Sequence, residues 1–356
     1  MRKVRFGVVG TNFITDWVIA GARQDARFEL KAVCSRSEEK GKEFARKHGI
    51  PYVYTSLEEM AGRSDIDAVY IASPNFMHAS QSILCMESGK PVLCEKPLAS
   101  NVAEAKAMIE TSRRCGVTLM EAMKPTLTPH FNRVREHLQY AGRVRRYFAS
   151  FCQYSSRYDK LKEGVVLNAF KPEYSNGATM DLGVYTIYPL VVLFGRPSAI
   201  QACGEVLPTG VDGQAAVHLI YEGMNATVLY SKISDSYLPA EIQGEKGTLL
   251  LDKIQKISEV VFIPHGVATS GKGASPLRQK LDVTADKDEY YYEIAEFINL
   301  IQDGKPESEI NSHLHSLMTL EITDEIRRQL GVVFPADKNV GKSVSFSAGA
   351  GLESGW

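Results

Sequence analysis

No two cysteines in this 356-residue sequence stand in C-x-x-C spacing; the six, at 34, 85, 94, 115, 152 and 203, are scattered. A chain this long can bury a core without staples, so reduced and mostly buried thiols are expected. Charge of one sign is lacking too. Lys and Arg number 41 against 42 Asp and Glu, a formal net charge of -1, which gives no field to gather nucleic acid or an anionic membrane. The expected partner is a small molecule. No His-Glu-x-x-His or Cys/His cluster occurs, and His313 and His315, two apart, fall on different faces of a helix, so no metal is expected. The lack of a Gly-x-Ser-x-Gly elbow argues against an α/β-hydrolase. The longest apolar stretch, Gly183 to Gly195, is too short to span a bilayer and contains Tyr185, Tyr188 and Pro189. Met1-Arg2-Lys3 leads straight into the strand-like Val4-Arg5-Phe6-Gly7-Val8-Val9 with no signal-peptide core, so a cytoplasmic protein is expected. No internal repeat is visible.

What is present is an ordinary globular composition, 44% hydrophobic and 23% charged, at a length that suits two domains. Short β-rich runs near 4–9, 29–35, 68–73, 91–96 and 118–123 alternate with helical patterns, the rhythm of βαβ units on a parallel sheet. Ile14, Trp17, Val18 and Gly21 mark one helix face. Ser56 with Glu59 and Asn101 with Glu104 have capping spacing, and Gly89 and Gly116 sit where helical runs should stop. After about residue 124 a helix near 128–141 leads into alternating segments at 142–156 and 199–264, broken by the turn signals Asp212-Gly213, Glu222-Gly223 and Lys246-Gly247. Helical patterns return near 286–303 and 312–330. The expected fold is α/β: a Rossmann doubly wound parallel sheet over 1–123, an α/β substrate-binding and oligomerisation domain with a large open, mostly antiparallel sheet over 124–335, and a tail over 336–356.

The first strand ends in Gly10-Thr11-Asn12-Phe13-Ile14, which opens a helix where a dinucleotide-binding loop sets pyrophosphate on a helix N-terminus. Asn12 and Thr15 stand where the usual pattern has glycine, and Asn12 is expected to keep the turn by tolerating a left-handed backbone. A turn that merely joins strand to helix would read the same. The second strand ends Cys34-Ser35-Arg36-Ser37 rather than in the acidic residue typical of NAD sites. A hydroxyl and a guanidinium there suit the 2′-phosphate of NADP, with NAD possible. The alternative is a solvated Arg36, with Glu38 or Glu39 on the ribose.

Three more segments follow in order: Ser73-Pro74-Asn75-Phe76-Met77-His78, then Glu95-Lys96-Pro97, then Asn176-Gly177-Ala178-Thr179-Met180-Asp181-Leu182-Gly183-Val184-Tyr185. With the loop at Gly10 they resemble the Gfo/Idh/MocA family of oxidoreductases from Arg5 to about Pro335. The resemblance implies that Ser73, Asn75 and His78 shape the nicotinamide side of a cleft, that Glu95 and Lys96 lie by the cofactor, and that Asp181 and the residue four later complete the catalytic set. That later residue is Tyr185 where many members have His. This looks like the branch with glucose-fructose oxidoreductase and dimeric dihydrodiol dehydrogenase, and leads away from inositol-dehydrogenase-like members. Glu121-Ala122-Met123-Lys124-Pro125 is also close to that branch at its start, while Lys124 and Pro125 depart from it.

The chemistry fits these residue types. Oxidising an alcohol requires a base in reach of the hydroxyl; a phenol can serve if a nearby ammonium, Lys96, favours its phenolate. Lys96 would also stabilise the developing alkoxide, and Asp181 would bond a substrate hydroxyl or hold Lys96. The plainer readings are a surface Lys96 before Pro97 with Glu95 as its ion-pair partner, an Asp181 at a helix start, and a core Tyr185. The expected function is an NADP(H)-dependent oxidoreductase acting on CH–OH groups of a sugar-like or small polyol or carbonyl substrate. The alternatives are a trans-dihydrodiol dehydrogenase-like activity and a non-catalytic NADP-binding regulator. The open sheet needs cover, so a homodimer or dimer of dimers is expected.

Overall fold

The computed structural model describes residues 2–268 and 275–339; the expected tail lies almost wholly outside them. The first half forms six parallel strands, β1 (Val4–Val9), β2 (Phe28–Cys34), β3 (Tyr52–Tyr54), β4 (Ala68–Ile71), β5 (Val92–Glu95) and β6 (Leu119–Ala122), in the order β3-β2-β1-β4-β5-β6. This is the doubly wound arrangement expected, with a crevice at the carboxyl ends of the strands where the order reverses beside β1. The three-residue β3 is too short to stand out from sequence. Helices α1 (Phe13–Ala22), α2 (Glu38–His48), α3 (Leu57–Ala61), α4 (His78–Glu87) and α5 (Val102–Cys115) connect them. The Ser56 and Asn101 side chains accept from the Glu59 and Glu104 amides as their spacing implied, and Gly116 ends α5 in a left-handed conformation.

After α6 (Pro129–His137) the chain builds an eight-stranded sheet from β7 (Val144–Cys152), β8 (Ala199–Val206), β9 (Asp212–Tyr221), β10 (Met224–Ser231), β11 (Ala240–Gly244), β12 (Gly247–Leu251), β13 (Val260–Pro264) and β14 (Gln279–Lys280). All its pairs are antiparallel except β7 with β10. Glu222-Gly223 turns β9 into β10 as expected. Asp212-Gly213 does not turn the chain. It begins β9, because the buried Asp212 carboxylate accepts from the Thr179 amide at 2.6 Å and its hydroxyl at 2.7 Å, tying the strand to the segment before the next helix.

Between sheet and cleft lie the short α7 (Tyr158–Lys162), a single wide helical turn over Thr179–Gly183 and α8 (Val184–Phe194). The helical run Pro172–Phe194 is long and apolar enough to cross a membrane by length and composition, but 72% of its apolar window is buried inside the protein. Its hydrophobicity is accounted for by the core, where Ile187, Leu190 and Val191 pack on the second sheet. Finally α9 (Glu289–Asp303) and α10 (His313–Leu330) turn back: Tyr290, Ile294, Phe297 and Ile298 of α9 share one core with Phe6, Val8 and Tyr70 of the first sheet. Of the cysteines, all free, three are buried, two half-buried and Cys203 exposed, so the thiols are less hidden than expected.

Candidate active site

The ends of β1, β2, β4 and β5 open on one cleft of about 1950 Å³, faced from the other half by Phe151, Gln153, Asp181 and Tyr185. Of the residues singled out from sequence, Gly10, Thr11, Asn12, Phe13, Ile14, Ser35, Arg36, Ser73, Asn75, His78, Glu95, Lys96, Asp181 and Tyr185 line it.

At one end, Gly10 has φ +101°, and a Cβ there would lie 2.7 Å from the Ala72 carbonyl oxygen, so only glycine lets β1 pass β4 this closely. Asn12 is not left-handed. Its backbone is extended (φ -88°, ψ 173°) and its side chain caps α1, accepting from the Ile14 amide at 3.0 Å and the Thr15 amide at 3.3 Å while donating to the Ala72 carbonyl at 2.8 Å. An asparagine thus does by side-chain bonding what a second glycine does by backbone freedom. At the end of β2, Ser35 and Arg36 face the cleft with two residues that sequence reading passed over, Ser37, whose hydroxyl caps α2, and Lys40 on its first turn. Glu38 pairs instead with Lys42 at 2.6 Å, and neither it nor Glu39 lines the cleft.

This donor set fits a dinucleotide with a 2′-phosphate: a helix N-terminus for pyrophosphate, then two hydroxyls, a guanidinium and an ammonium in sequence. Further along the wall the Ser73 hydroxyl and the Gln81 carbonyl oxygen are buried without a protein partner. His78 is sunk beneath the cleft, its Nδ1 2.8 Å from the Pro97 carbonyl and its Nε2 2.9 Å from that of Ser73. Burial pushes its pKa down, while the two carbonyls, both acceptors, pull the other way. The ring lies between the Ser73 loop and the Pro97 carbonyl just past Lys96. Asn75 reaches across to the second half, donating to the Ser175 carbonyl at 2.9 Å.

At the other end the Lys96 ammonium donates to the Asp181 carboxylate at 3.0 Å and to the Asp181 carbonyl at 2.9 Å. Glu95 is not its ion-pair partner. The Glu95 carboxyl turns inward to accept from Tyr70 at 2.7 Å and from the Lys96 backbone amide at 3.2 Å, and burial raises its pKa. Behind it lies Glu293 of α9, buried with no protein partner for either carboxyl oxygen and raised by the same cause. Glu121 accepts from the Leu98 amide at 2.9 Å, bracing the turn two residues past Lys96, and burial pushes it up to about 7. Lys124 at the cleft edge pairs with Glu289 and lies over the Tyr290 ring, 4.6 Å from its centroid.

Asp181 lies within the wide turn over Thr179–Gly183 and Tyr185 four positions further on in α8, yet both reach the cleft. Burial pushes the Asp181 carboxyl up, but Lys232 and Lys96 outweigh it and hold it well below the usual range. Lys232 was not anticipated. The Lys96 ammonium sits over the face of the Tyr185 ring, 4.7 Å from its centroid, rather than on its hydroxyl. The expected phenolate is therefore not favoured. Burial, then Glu95 and Asp181, hold the Tyr185 phenol well above its ordinary pKa and keep it protonated. Among the described residues no group of three or more His, Cys, Asp or Glu is arranged to hold a metal ion.

Residues 4–123 match the family described as "Oxidoreductase family, NAD-binding Rossmann fold", and residues 131–250 match the "GFO/IDH/MocA C-terminal domain". The chain belongs to the Gfo/Idh/MocA oxidoreductase family. It is 48% identical over 335 residues to the scyllo-inositol 2-dehydrogenase (NADP(+)) IolU of Bacillus subtilis (strain 168), covering 94% of this chain and 99% of that one. It is 31% identical over 347 residues to a trans-1,2-dihydrobenzene-1,2-diol dehydrogenase of Xenopus tropicalis, covering 93% and 99%. A levoglucosan dehydrogenase solved with NADH and levoglucosan superposes with a TM-score of 0.81 at 19% identity, over 93% of this chain and 98% of that one, a likeness of fold. Within the family this chain is an oxidoreductase with an NAD(P)-binding Rossmann domain.

Proposed function

We propose that this protein transfers hydride between NADP(H) and a ring CH–OH group of a polyol of the inositol type. The observation that carries the reading is the meeting of Lys96, Asp181 and Tyr185 in the cleft whose other end presents Ser35, Arg36, Ser37 and Lys40. The nicotinamide, when bound, accepts or supplies the hydride. Lys96, fixed by Asp181, holds a positive charge at the reacting oxygen before the charge there develops. As hydride reaches a carbonyl carbon, Tyr185 gives its proton to the oxygen; in oxidation the hydroxyl proton returns to the phenolate. Gln153, Asn168 and Asn176 on the facing wall suit a ligand with several hydroxyls. The relative that is 48% identical is named for an inositol and for NADP(+), which supports both substrate class and cofactor. It weighs toward inositols, where the expectation from Tyr185 leads toward the dihydrodiol branch.

An absorbance assay of NADPH against inososes, aldoses, dicarbonyls and, in the oxidative direction, inositols and trans-dihydrodiols tests this. Turnover on inositols and inososes should exceed the rest. Preference for dihydrodiols, the activity named for the relatives near 30% identity, would replace the substrate; NADPH binding without turnover on any compound would favour a regulator. We further propose a homodimer through the outer face of the second sheet. There Phe148, Thr227 and His218 lie side by side, with Leu229 beside Ala216, none of them buried in the single chain. A monomer by light scattering at micromolar concentration would contradict it.

A further inference from the structure

Lys232 follows the last residue of β10 and continues that strand's inward parity after Ala226, Val228 and Tyr230; it is 3% exposed. Its ammonium donates to the second oxygen of Asp181 at 2.7 Å and to the Ala169 carbonyl at 3.3 Å, with the Phe170 ring 5.3 Å away. It does not line the cleft, so it is walled from substrate by Asp181 itself. A fully buried ammonium is costly unless paired, and this one spends its pairing on the carboxylate that holds Lys96.

We propose that Lys232 is a positioning residue for proton transfer: it fixes the Asp181 carboxylate from behind and leaves the Lys96–Asp181–Lys232 cluster with a net positive charge toward the reacting oxygen. Two ammoniums against one carboxylate give that charge; Lys96 and Asp181 alone would cancel. The inference rests on the reading of Lys96 and Tyr185 as the reacting pair. The other titratable groups facing the cluster are Tyr185 on α8, Glu95 at the end of β5, Glu121 on β6, His78 on α4 and Asp212 on β9, with Lys124, Glu289 and Glu293 beyond Glu95. Glu95, Glu121 and Asp212 are raised by burial, His78 is lowered by it, and Tyr185 is held up. None supplies a second cation to Asp181.

The sign of the pH effect follows. Asp181 stays ionised to low pH because two cations oppose its burial; with one removed, it takes a proton at higher pH. In Lys232→Met, kcat should fall about 10- to 100-fold, the loss typical of a misplaced reacting group, with KM for polyol and Kd for NADPH within about threefold. The acid limb of kcat should move up by about a unit. Lys232→Arg, which keeps the charge, should restore most of kcat and leave the limb in place. The Asp181 carboxyl, followed by ¹³C NMR in the protein without substrate and assigned with Asp181→Asn, should titrate at higher pH in the Met variant. That readout decides the proposal even if no polyol is turned over, an outcome that would sink the functional reading alone. An unmoved Asp181 titration, or a Met variant with wild-type kcat, overturns it. If Lys232→Met does not fold, Lys232→Gln takes its place under the same criteria, retaining a donor without the charge.

Discussion

The two ends of the cleft are built from different materials. The phosphate end uses backbone, capping side chains and exposed cations: Gly10, Asn12, Ser35, Ser37 and Arg36. The proposed reacting end is a knot of close-packed charge, with Lys96, Asp181 and Lys232 on one side of Glu95 and Lys124, Glu289 and Glu293 on the other, of which Glu95, Lys232 and Glu293 are buried. Backbone recognition forgives changes of letter, which is how Asn12 and Thr15 stand where glycines are usual. Paired charge does not, because Lys96, Lys232 and Lys124 are each compensated by a particular carboxylate.

If that contrast holds, damage at the reacting end should stop chemistry and spare binding. Lys96→Met should lower kcat by about a thousandfold or more, with NADPH Kd, read by fluorescence, changed only a few-fold; equal losses in both would erase the distinction. Next in size is the pH response. Tyr185 is held protonated, so oxidation, which needs the phenolate, should accelerate up to about tenfold per pH unit on the alkaline side while reduction, which uses the phenol, stays level there. Flat profiles in both directions, or the same profiles in Tyr185→Phe, would remove Tyr185 from the mechanism. At the phosphate end Arg36→Ala should weaken NADPH about tenfold and leave NADH and kcat nearly unchanged. Parallel weakening of both cofactors would put Arg36 elsewhere than on a 2′-phosphate. Smallest is Asn12→Ala, which should cost about 1 kcal/mol in urea unfolding through the lost cap, with a modest rise in Kd. A fall in kcat there would mean the two ends are coupled.

The same contrast explains what the sequence disclosed. Glu95-Lys96-Pro97 and the Gly10 loop were legible because each occupies the end of a strand, where position implies role. The caps at Ser56 and Asn101 were legible because their partners lie three residues away. Lys232 was not, since its partner is 51 residues distant and a lysine after an alternating strand reads as solvated. Its parity with Ala226, Val228 and Tyr230 was the available signal. Asp212-Gly213 misled for the same reason: a turn-forming pair was held in a strand start by Thr179, which no local pattern announces. The charge state of Tyr185 depends on carboxylates from β5, α8's own approach and α9, elements that only the folded chain brings together.

The return of α9 has a consequence for biosynthesis. A ribosome emits the cofactor-binding sheet first, yet the face carrying Phe6, Val8 and Tyr70 is completed by Tyr290, Ile294, Phe297 and Ile298. Until Glu289–Asp303 has emerged, the part of that face under α9 stays bare beside the part that Val18 and Ile19 of α1 share, and the first half lacks a piece of its own core. A nascent chain arrested before Glu289 should therefore be cut by protease across its first half and held by chaperones, and should become resistant only when its last helices are made.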